Sequence, residues 1–174
     1  MVLASEWKER YATWLEENRP LLEEAKWKEA FDGYPWVKNP EAPFTPLSKP
    51  VSECRITLVG SAGLYLPGQE RFTDEEVTGD STFREIPRGS DLSTTGIAHT
   101  HYDHRYAEED RNSVYPLDVL EELAEEGAIG GLTDTHYCFS GYNTDAAQVA
   151  EVSGPEVARR IKAEGADAVL LVPI

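Results

Sequence analysis

The stretch Arg55-Ile-Thr-Leu-Val-Gly-Ser-Ala-Gly63 decides how the rest of this 174-residue chain is interpreted. Its apolar and β-branched half predicts a buried strand, which the small residues from Gly60 to Gly63 bring to an end. This loop lacks the third glycine and the lysine of a phosphate-binding loop, so we interpret it as a tight turn. A buried strand that feeds a tight loop indicates an α/β domain, in which such loops carry functional groups.

Strand-like and helical segments alternate through the rest of the chain. Leu132 to Phe139 and Ala168 to Val172 are strand-like, and the second is apolar on both faces, as in a central strand that helices cover. Pro116 can open a helix that Gly127 ends, and Ser153 to Glu156 forms a capping box at the start of another helix. This alternation predicts an α/β fold with an open, mostly parallel doubly wound sheet of the Rossmann or flavodoxin type.

Composition divides the chain into three predicted regions. These are an N-terminal helical extension over residues 1–32, a Pro-rich linker over 33–50 and an α/β domain over 51–174. Aromatic residues recur near the start at three- and four-residue intervals and predict a helix: Trp7, Tyr11 and Trp14. Trp7, Trp14 and Trp27 are interpreted as packing groups rather than binding groups. Pro20 can open a second helix. The linker is interpreted as extended, because proline removes backbone donors and favours polyproline-like structure.

The charge of the chain excludes two classes of partner. Acidic residues number 32 against 16 basic ones, which gives a formal net charge of -16. Such a charge repels nucleic acid and anionic membrane surfaces within the Debye length. No apolar run approaches the roughly 20 residues that a membrane span needs, and the first residues do not resemble a signal peptide. We therefore expect a cytoplasmic protein that binds neither nucleic acid nor membranes.

The densest group of potential ligands and proton carriers is His99-Thr-His101-Tyr-Asp103-His104, directly after a strand-like approach. Its letters match the H-x-H-x-D-H signature of metallo-β-lactamase-type hydrolases, in which imidazoles and a carboxylate bind metal ions that activate water. Only His136 follows the cluster, whereas a dinuclear site needs further ligands. A zinc-dependent hydrolase that uses His99, His101, Asp103 and His104 is one alternative, and a polar loop without a metal is another.

A second pattern extends over most of the predicted α/β domain. It consists of short motifs in a fixed order: the 55–63 stretch, Arg71-Phe72, Gly79-Asp80, Phe83 to Pro87, His99-x-x-Tyr102-Asp103, Asn112, Tyr115 to Asp118, Leu123 to Gly127, and Gly154-Pro155-Glu156. In order and spacing this set resembles the glycine/sarcosine/betaine and D-proline reductase selenoprotein B family. The helical segment before residue 45 has no counterpart in the resemblance.

The resemblance implies a selenol- or thiol-dependent reductase that cleaves a C–N or similar bond of an amino acid or amine. It also implies that the strand at Ala168–Ile174 leads into a selenocysteine, or in some members a cysteine. We therefore expect the chain to stop just before the reactive residue, at a selenocysteine codon read as a stop, and to hold no cofactor itself. The implied partners are a small amine or amino-acid substrate, a dithiol or thioredoxin-like electron donor and a pyruvoyl-containing subunit.

The resemblance also assigns candidate site residues. His99, Tyr102 and Asp103 match the family's H-x-x-Y-D segment and are predicted to deliver protons or to orient the substrate. Three further matched positions are predicted to bind the substrate: Ser61, Gly63 and Asn112. Asp118, in the first turn of a predicted helix, is interpreted as a capping and dipole group rather than as a catalyst.

Two cysteines, Cys54 and Cys138, are too few for a disulfide framework. Cys138 is either a resolving thiol near the end of a strand or, as we favour, a buried and unreactive thiol. A non-catalytic interaction module, which would capture a partner through its N-terminal helices, stays open as a third class of function.

Overall fold

Strand β1 (Arg55–Gly60) is the centre of a five-stranded mixed sheet in the computed structural model, which describes residues 5–38, 44–73 and 77–174. The other strands of this sheet are β3 (Phe83–Pro87), β5 (Gly131–Leu132), β6 (Thr135–Phe139) and β7 (Ala168–Val172). Two short strands, β2 (Leu64–Tyr65) and β4 (Gly96–Ile97), lie outside it. The helices are α1 (Ser5–Glu23), α2 (Trp27–Ala30), α3 (Arg105–Glu109), α4 (Leu117–Glu125), α5 (Ala146–Gln148) and α6 (Gly154–Ala163). A π-helical turn, Val149–Ser153, joins α5 to α6.

The order of the strands follows from β1, which pairs with other strands along both of its edges. On one edge β7 runs parallel to β1, from the pair Ile56 and Ala168 to the pair Gly60 and Val172. On the other edge β5 pairs with the first residues of β1 and β6 with the last, both in parallel. β3 is antiparallel to β6, and β2 and β4 form a separate antiparallel ribbon. The α/β class with mostly parallel strands is confirmed, and the doubly wound Rossmann or flavodoxin-like arrangement stays a prediction.

The position of β7 differs from the prediction for Ala168–Val172. A central strand covered by helices is predicted, and this is wrong for the part of the chain that the structure describes, where β7 pairs with β1 alone and forms an edge of the sheet. Leu171 of this strand is 68% exposed. An apolar run shows what a strand can bury but not which neighbours it has, so the pattern does not distinguish an edge from a centre.

The two faces of the sheet carry different layers of the core. Leu58 of β1 belongs to the same buried cluster as Leu120 of α4. The neighbouring Val59 packs on the opposite face, with Val157 and Ile161 of α6. Because side chains alternate along a strand, one helix on each face buries both sets of apolar side chains.

Side chains bridge a gap between β5 and β6. The ladder along this edge of β1 stops at Ile56 and resumes at Val59. Between them, the backbone N–H of Leu58 donates to Nδ1 of His136 at 2.9 Å. His136 is fully buried, and burial lowers the pKa of its ring to about 4. The neutral ring therefore takes the place of a missing backbone acceptor in the sheet.

The N-terminal helices pack against the α/β core. Trp7 and Trp14 of α1 are buried, and Trp27 of α2 is partly buried against the same cluster, which confirms their interpretation as packing groups. None of the helices within the described ranges is long and apolar enough to cross a membrane. The division into extension, linker and domain stays a prediction, and residues 39–43 of the predicted linker, with Pro40 and Pro43, lie outside the described residues.

The helix boundary predicted at Pro20 is wrong. Pro20 lies inside α1, which continues to Glu23, and the second helix begins at Trp27. Proline in a helix interior removes one hydrogen bond. Here Trp14 before the proline and Leu22 after it are both buried in one cluster, so tertiary packing holds the two halves of the helix together.

The capping box predicted at Ser153 is also wrong. Ser153 has helical backbone angles, φ -71 and ψ -40, and its side chain makes no capping hydrogen bond to any residue that the structure describes. The helix starts earlier, where the Asp145 side chain accepts from the N–H groups of Ala147 and Gln148. The π-helical turn then carries the chain into α6 without an interruption, so Ser153 has no free amide to cap.

We predict that His136 makes the stability of the fold dependent on pH. The unfolded chain binds a proton at this ring below pH 6.5, whereas the folded chain does so only below about 4. The free energy of unfolding should therefore be full above pH 6.5 and fall as the pH drops through about 4, by at most about 3 kcal/mol. Urea unfolding at several pH values measures this.

The His136→Gln variant keeps an acceptor for Leu58 but cannot titrate in this range. Between about pH 6.5 and 5, most carboxylates are still ionised, so the difference between wild type and variant isolates the imidazole. An identical pH dependence in the two proteins would show that His136 is not held neutral in the fold.

Candidate functional site

The carboxyl ends of β1, β6 and β7 meet at Ser61, the first residue after β1. The N–H of Ser61 donates to the Val172 carbonyl at 3.1 Å. The N–H of Ile174 donates to the Ser61 hydroxyl oxygen at 2.9 Å. Ser61, a predicted substrate-binding residue, thus holds the segment that follows β7 against the end of β1.

Gly63 allows a second chain segment to approach this edge. Its φ of +69 is a conformation that glycine adopts without strain, and a Cβ there would lie 2.8 Å from Cβ of His99. Its N–H donates to the Phe139 carbonyl and its carbonyl accepts from the N–H of Ala98, both at 2.9 Å. Gly63, also predicted to bind substrate, positions the loop that carries His99.

His99 is the buried member of the predicted catalytic set, with 4% of its surface exposed. The N–H of His101 donates to its Nδ1 at 3.4 Å. Nε2 lies against Gly141, where a Cβ would be 2.8 Å from Cδ2 of His99 and 2.7 Å from the carbonyl oxygen of Ile174. His99 and Ile174 therefore converge on a position that has no side chain.

Tyr102 and His104 surround the same ring. The Tyr102 ring lies 5.1 Å from that of His99 and nearly perpendicular to it, and its hydroxyl donates to the Ala62 carbonyl at 3.3 Å. Burial raises the pKa of Tyr102 to about 12, so its hydroxyl stays protonated. His104 Nε2 is 2.6 Å from the His99 carbonyl oxygen, which fixes the backbone of the loop. The structure thus brings together His99 and Tyr102, two of the three predicted catalytic residues.

Asp103, the third, pairs with a cation at the surface. Its carboxylate lies 2.6 Å from Arg105 and its side chain is 55% exposed. The hydrogen bond from Arg105 is the main cause that lowers the pKa of Asp103. A carboxyl group that stays ionised and paired is a poor proton donor, so the observed geometry favours a structural role for Asp103 at the start of α3.

Asn112 is engaged at the start of α4. Its amide nitrogen donates to Asp110 at 3.0 Å and to Asp118 at 2.9 Å, and its amide oxygen accepts from the N–H of Asp118 at 3.0 Å. These bonds tie the preceding turn to the first turn of α4. Asp118 lies in that turn, as predicted, and a substrate contact by Asn112 stays a prediction.

The four residues of the zinc alternative do not share one site. Among the described residues, no group of three or more His, Cys, Asp or Glu side chains could hold a metal ion. The His101 ring stacks on Tyr142 at 4.2 Å, while His104 and Asp103 are engaged as described. The letters of the motif therefore match a metal site, but the loop conformation spreads its side chains apart.

The environment of Cys138 agrees with its interpretation as a buried, unreactive thiol. It is fully buried in the core beside Leu58, and its sulfur accepts from the N–H of Leu64 at 3.2 Å. Burial raises the pKa of its thiol to about 12, so the reactive thiolate is not populated near neutral pH.

Sequence reasoning missed the positions of three residues around the His99 loop. Gly141 and Tyr142 lie two and three residues after the end of β6, and Trp27 reaches His101 and Tyr142 from α2. A glycine and an aromatic residue at the end of a predicted strand were an available signal for the first two. Trp27 is predicted to be a packing group and does pack against the N-terminal cluster, but no local signal predicts its contacts with His101 and Tyr142.

Comparisons with known proteins cover most of the chain. The model of the family described as glycine/sarcosine/betaine reductase selenoprotein B matches residues 29–173. The D-proline reductase subunit gamma of Acetoanaerobium sticklandii is 35% identical over 133 residues, which is 76% of this chain and 54% of that protein. The glycine reductase complex component B subunit gamma of Carboxydothermus hydrogenoformans is 36% identical over 131 residues, 74% of this chain and 30% of that protein. The sarcosine reductase complex component B subunit beta of Peptoclostridium acidaminophilum is 27% identical over 141 residues, 79% of this chain and 32% of that protein.

These matches define the relationship and its extent. The chain spans about half the length of the D-proline reductase subunit and about a third of the other two. No solved structure matches it. The family match contains every predicted site residue, from Ser61 to Asn112, as well as Gly141. The chain therefore belongs to the glycine/sarcosine/betaine reductase selenoprotein B family.

Proposed function

We propose that this chain is a subunit of a reductase complex in which a selenol or thiol reductively cleaves a C–N bond of an amino acid or amine. The observation that carries the proposal is the convergence of Ser61, His99 and Ile174 around Gly141 at the carboxyl edge of the sheet. Ligands of open α/β sheets collect at this edge. The family supports the reductase class, because the matched relatives are named as subunits of D-proline, glycine and sarcosine reductases.

The residues present at this edge fit a selenol or thiol. At this edge such a group would supply a nucleophile that bonds to carbon as the C–N bond breaks and the nitrogen leaves with the electron pair. A dithiol would then supply the two electrons that cleave the new carbon–chalcogen bond, the carbon taking up a proton and the dithiol becoming a disulfide. Ser61 and His99 offer hydroxyl and imidazole donors, which stabilise a chalcogen anion. The carboxylate of the same loop, Asp103, is neutralised by Arg105 and adds no opposing charge.

His99 is the proposed acid of the reaction. The His99 ring lies at this edge of the sheet, against Gly141, and in the proposed reaction a departing nitrogen would take a proton from the imidazole together with the electron pair of the C–N bond. Tyr102 keeps its own proton and packs against the His99 ring, so its proposed role is to orient that ring. Ser61 holds the backbone beside the reacting group.

The proposed partners follow from the same chemistry. A small amine or amino acid is the substrate, a dithiol or thioredoxin-like protein is the electron donor, and a pyruvoyl-containing subunit activates the substrate. The glycine and sarcosine relatives are named as components of complexes, which supports the presence of partner subunits. No observation favours the zinc hydrolase, since the described residues hold no group suited to a metal.

We predict that His99→Gln lowers the dithiol-dependent cleavage of the amine by about 10²- to 10⁴-fold, the usual contribution of a general acid. The complex purified from its native cells is assayed with glycine, sarcosine, betaine and D-proline, and the reduced product is quantified. Asp103→Asn is the matched control and should lower the rate by less than about tenfold, because Asp103 contacts Arg105 rather than the site. Equal losses in the two variants would contradict the assignment.

We also predict that Gly141→Ala impairs activity without unfolding the protein. The new methyl group would displace the His99 ring and the Ile174 carbonyl, and a shift of this kind can cost about 100-fold in rate. Gly33→Ala is the control, because its methyl group would meet only Trp14, at 3.9 Å. Thermal melts should show both variants folded, with Gly141→Ala less stable by about 1–3 kcal/mol because of the overpacking and Gly33→Ala little changed. Full activity in Gly141→Ala would show that the convergence at this position has no catalytic role.

A further inference from the structure

The outer edge of β7 has no strand paired to it in the part of the chain that the structure describes. β7 pairs with β1 along one edge only, and its residues, Ala168–Val172, are all apolar. A free edge presents a row of backbone N–H and C=O groups, and soluble proteins usually shorten, charge or cover such a strand. β7 carries no charged residue, so its edge is suited to bind a further strand.

Apolar side chains of β7 are exposed on both faces of the sheet. Leu170 pairs in register with Leu58, and Leu171 pairs with Val59. These two partners belong to core clusters on opposite faces, and paired side chains share a face, so Leu170 and Leu171 lie on opposite faces too. Leu170 is 39% exposed and Leu171 68%. A partner at this edge should therefore bring more than a strand, because apolar surface is exposed on both sides of β7.

An apolar groove runs between β7 and α6 on the face that carries Leu171. Its volume is about 560 Å³, and side chains of both elements line it, among them Val157, Ile161 and Val169. Val59 of β1 and Leu171 also line it. A groove of this kind takes the apolar face of an amphipathic helix, whose apolar side chains recur at three- and four-residue spacing. The groove and the free edge are continuous, because β7 belongs to both.

The path of the chain indicates the face on which a further helix would pack. α6 follows β6 and precedes β7, and it packs on the Val59 face of the sheet. Parallel strands of one sheet are joined by right-handed crossovers in nearly all proteins. The next right-handed step in the same direction, from β7 to a parallel strand outside it, would put its helix on the same face as α6. The groove lies on that face, so one helix and one parallel strand would fill the groove and cover the edge together.

A second copy of the chain fits this surface less well. Two copies related by a two-fold axis would pair their β7 edges in antiparallel orientation, and each groove would keep its own α6 and gain no helix. Each copy also carries a formal charge of -16, which opposes close association. The family offers a better source, because the matched stretch is 54% of the D-proline reductase subunit and 30% of the glycine reductase subunit. These relatives therefore contain further chain, long enough for a helix and a strand.

We propose that the free edge of β7 and the groove beside α6 form one docking surface. It binds an amphipathic helix together with a strand parallel to β7, and both come from the part of the family's polypeptide that lies outside the stretch matched here. The proposal concerns assembly and is independent of the proposed reaction, since its test measures binding rather than turnover.

The test uses the full 174-residue chain, produced in one cell with the part of the Acetoanaerobium sticklandii D-proline reductase subunit gamma that lies outside the matched stretch. A one-to-one complex is expected by size-exclusion chromatography with light scattering, and its dissociation constant is measured by dilution. Leu171→Lys should raise this constant roughly 10- to 100-fold, because it removes an apolar contact of the size of leucine and puts a charge on the strand edge.

Val119→Lys is the control for this substitution. Val119 is an exposed apolar residue of α4, which packs beside β5. Because β5 and β7 pair with opposite edges of β1, a charge at Val119 lies away from the proposed surface. The dissociation constant should therefore stay within about twofold of the wild-type value, as is usual for a surface substitution away from an interface.

Each outcome supports or overturns the proposal. A one-to-one complex that Leu171→Lys weakens and Val119→Lys leaves intact supports it. No complex with the wild-type chain, or equal effects of the two substitutions, overturns it. A homodimer of the chain alone that Leu171→Lys disrupts also overturns it, because the edge would then belong to a second copy.

Thermal melts show whether both variants fold. If Leu171→Lys does not fold, hydrogen exchange of the wild-type chain decides. The amides of Ala168–Val172 should then exchange at least about tenfold more slowly in the complex than in the chain alone, because a paired strand opens less often. An unchanged exchange rate in this strand overturns the proposal.

Discussion

The pairing of β1 along both edges is the constraint on which the rest of the structure depends. Since β7 occupies one edge in register up to Gly60 and Val172, and β6 reaches the end of the other edge, three carboxyl ends meet at one place. Ser61 then bonds directly to Ile174. The site is a consequence of parallel register, because antiparallel neighbours would have sent these ends in opposite directions.

Two glycines allow neighbouring segments to pack closely against the ends of these strands. Gly63 admits the Ala98 backbone and Cβ of His99, and Gly141 admits the His99 ring together with the Ile174 carbonyl. Any side chain at either position would occupy the volume that His99 now fills. His99 can therefore lie here because Gly63 and Gly141 have no side chains. His101 contacts its ring through a hydrogen bond, and Tyr102 through a ring contact.

Local patterns in the sequence predicted the elements whose structure is determined locally. The strand at Arg55–Gly60 and the His99 loop are where short-range patterns place them. Pro20 and Ser153 carry strong local signals that tertiary packing and an earlier cap at Asp145 override. The edge position of β7 depends on neighbours far along the chain, which no local window contains. Trp27 is the same kind of case, because its contacts with His101 and Tyr142 reach across the fold.

The His-x-His-x-Asp-His motif does not form a metal site in this fold, because the surrounding contacts hold its side chains apart. In a metal site the second and third coordination bonds hold the side chains together. Here the aromatic pair around His101, the His104 contact with a carbonyl and the Arg105 pair at Asp103 each draw a side chain in a different direction. The loop thereby becomes a support for one imidazole, His99, whose ring lies at the end of the sheet against Gly141. In the proposed reaction, a donor at this edge would protonate the leaving nitrogen.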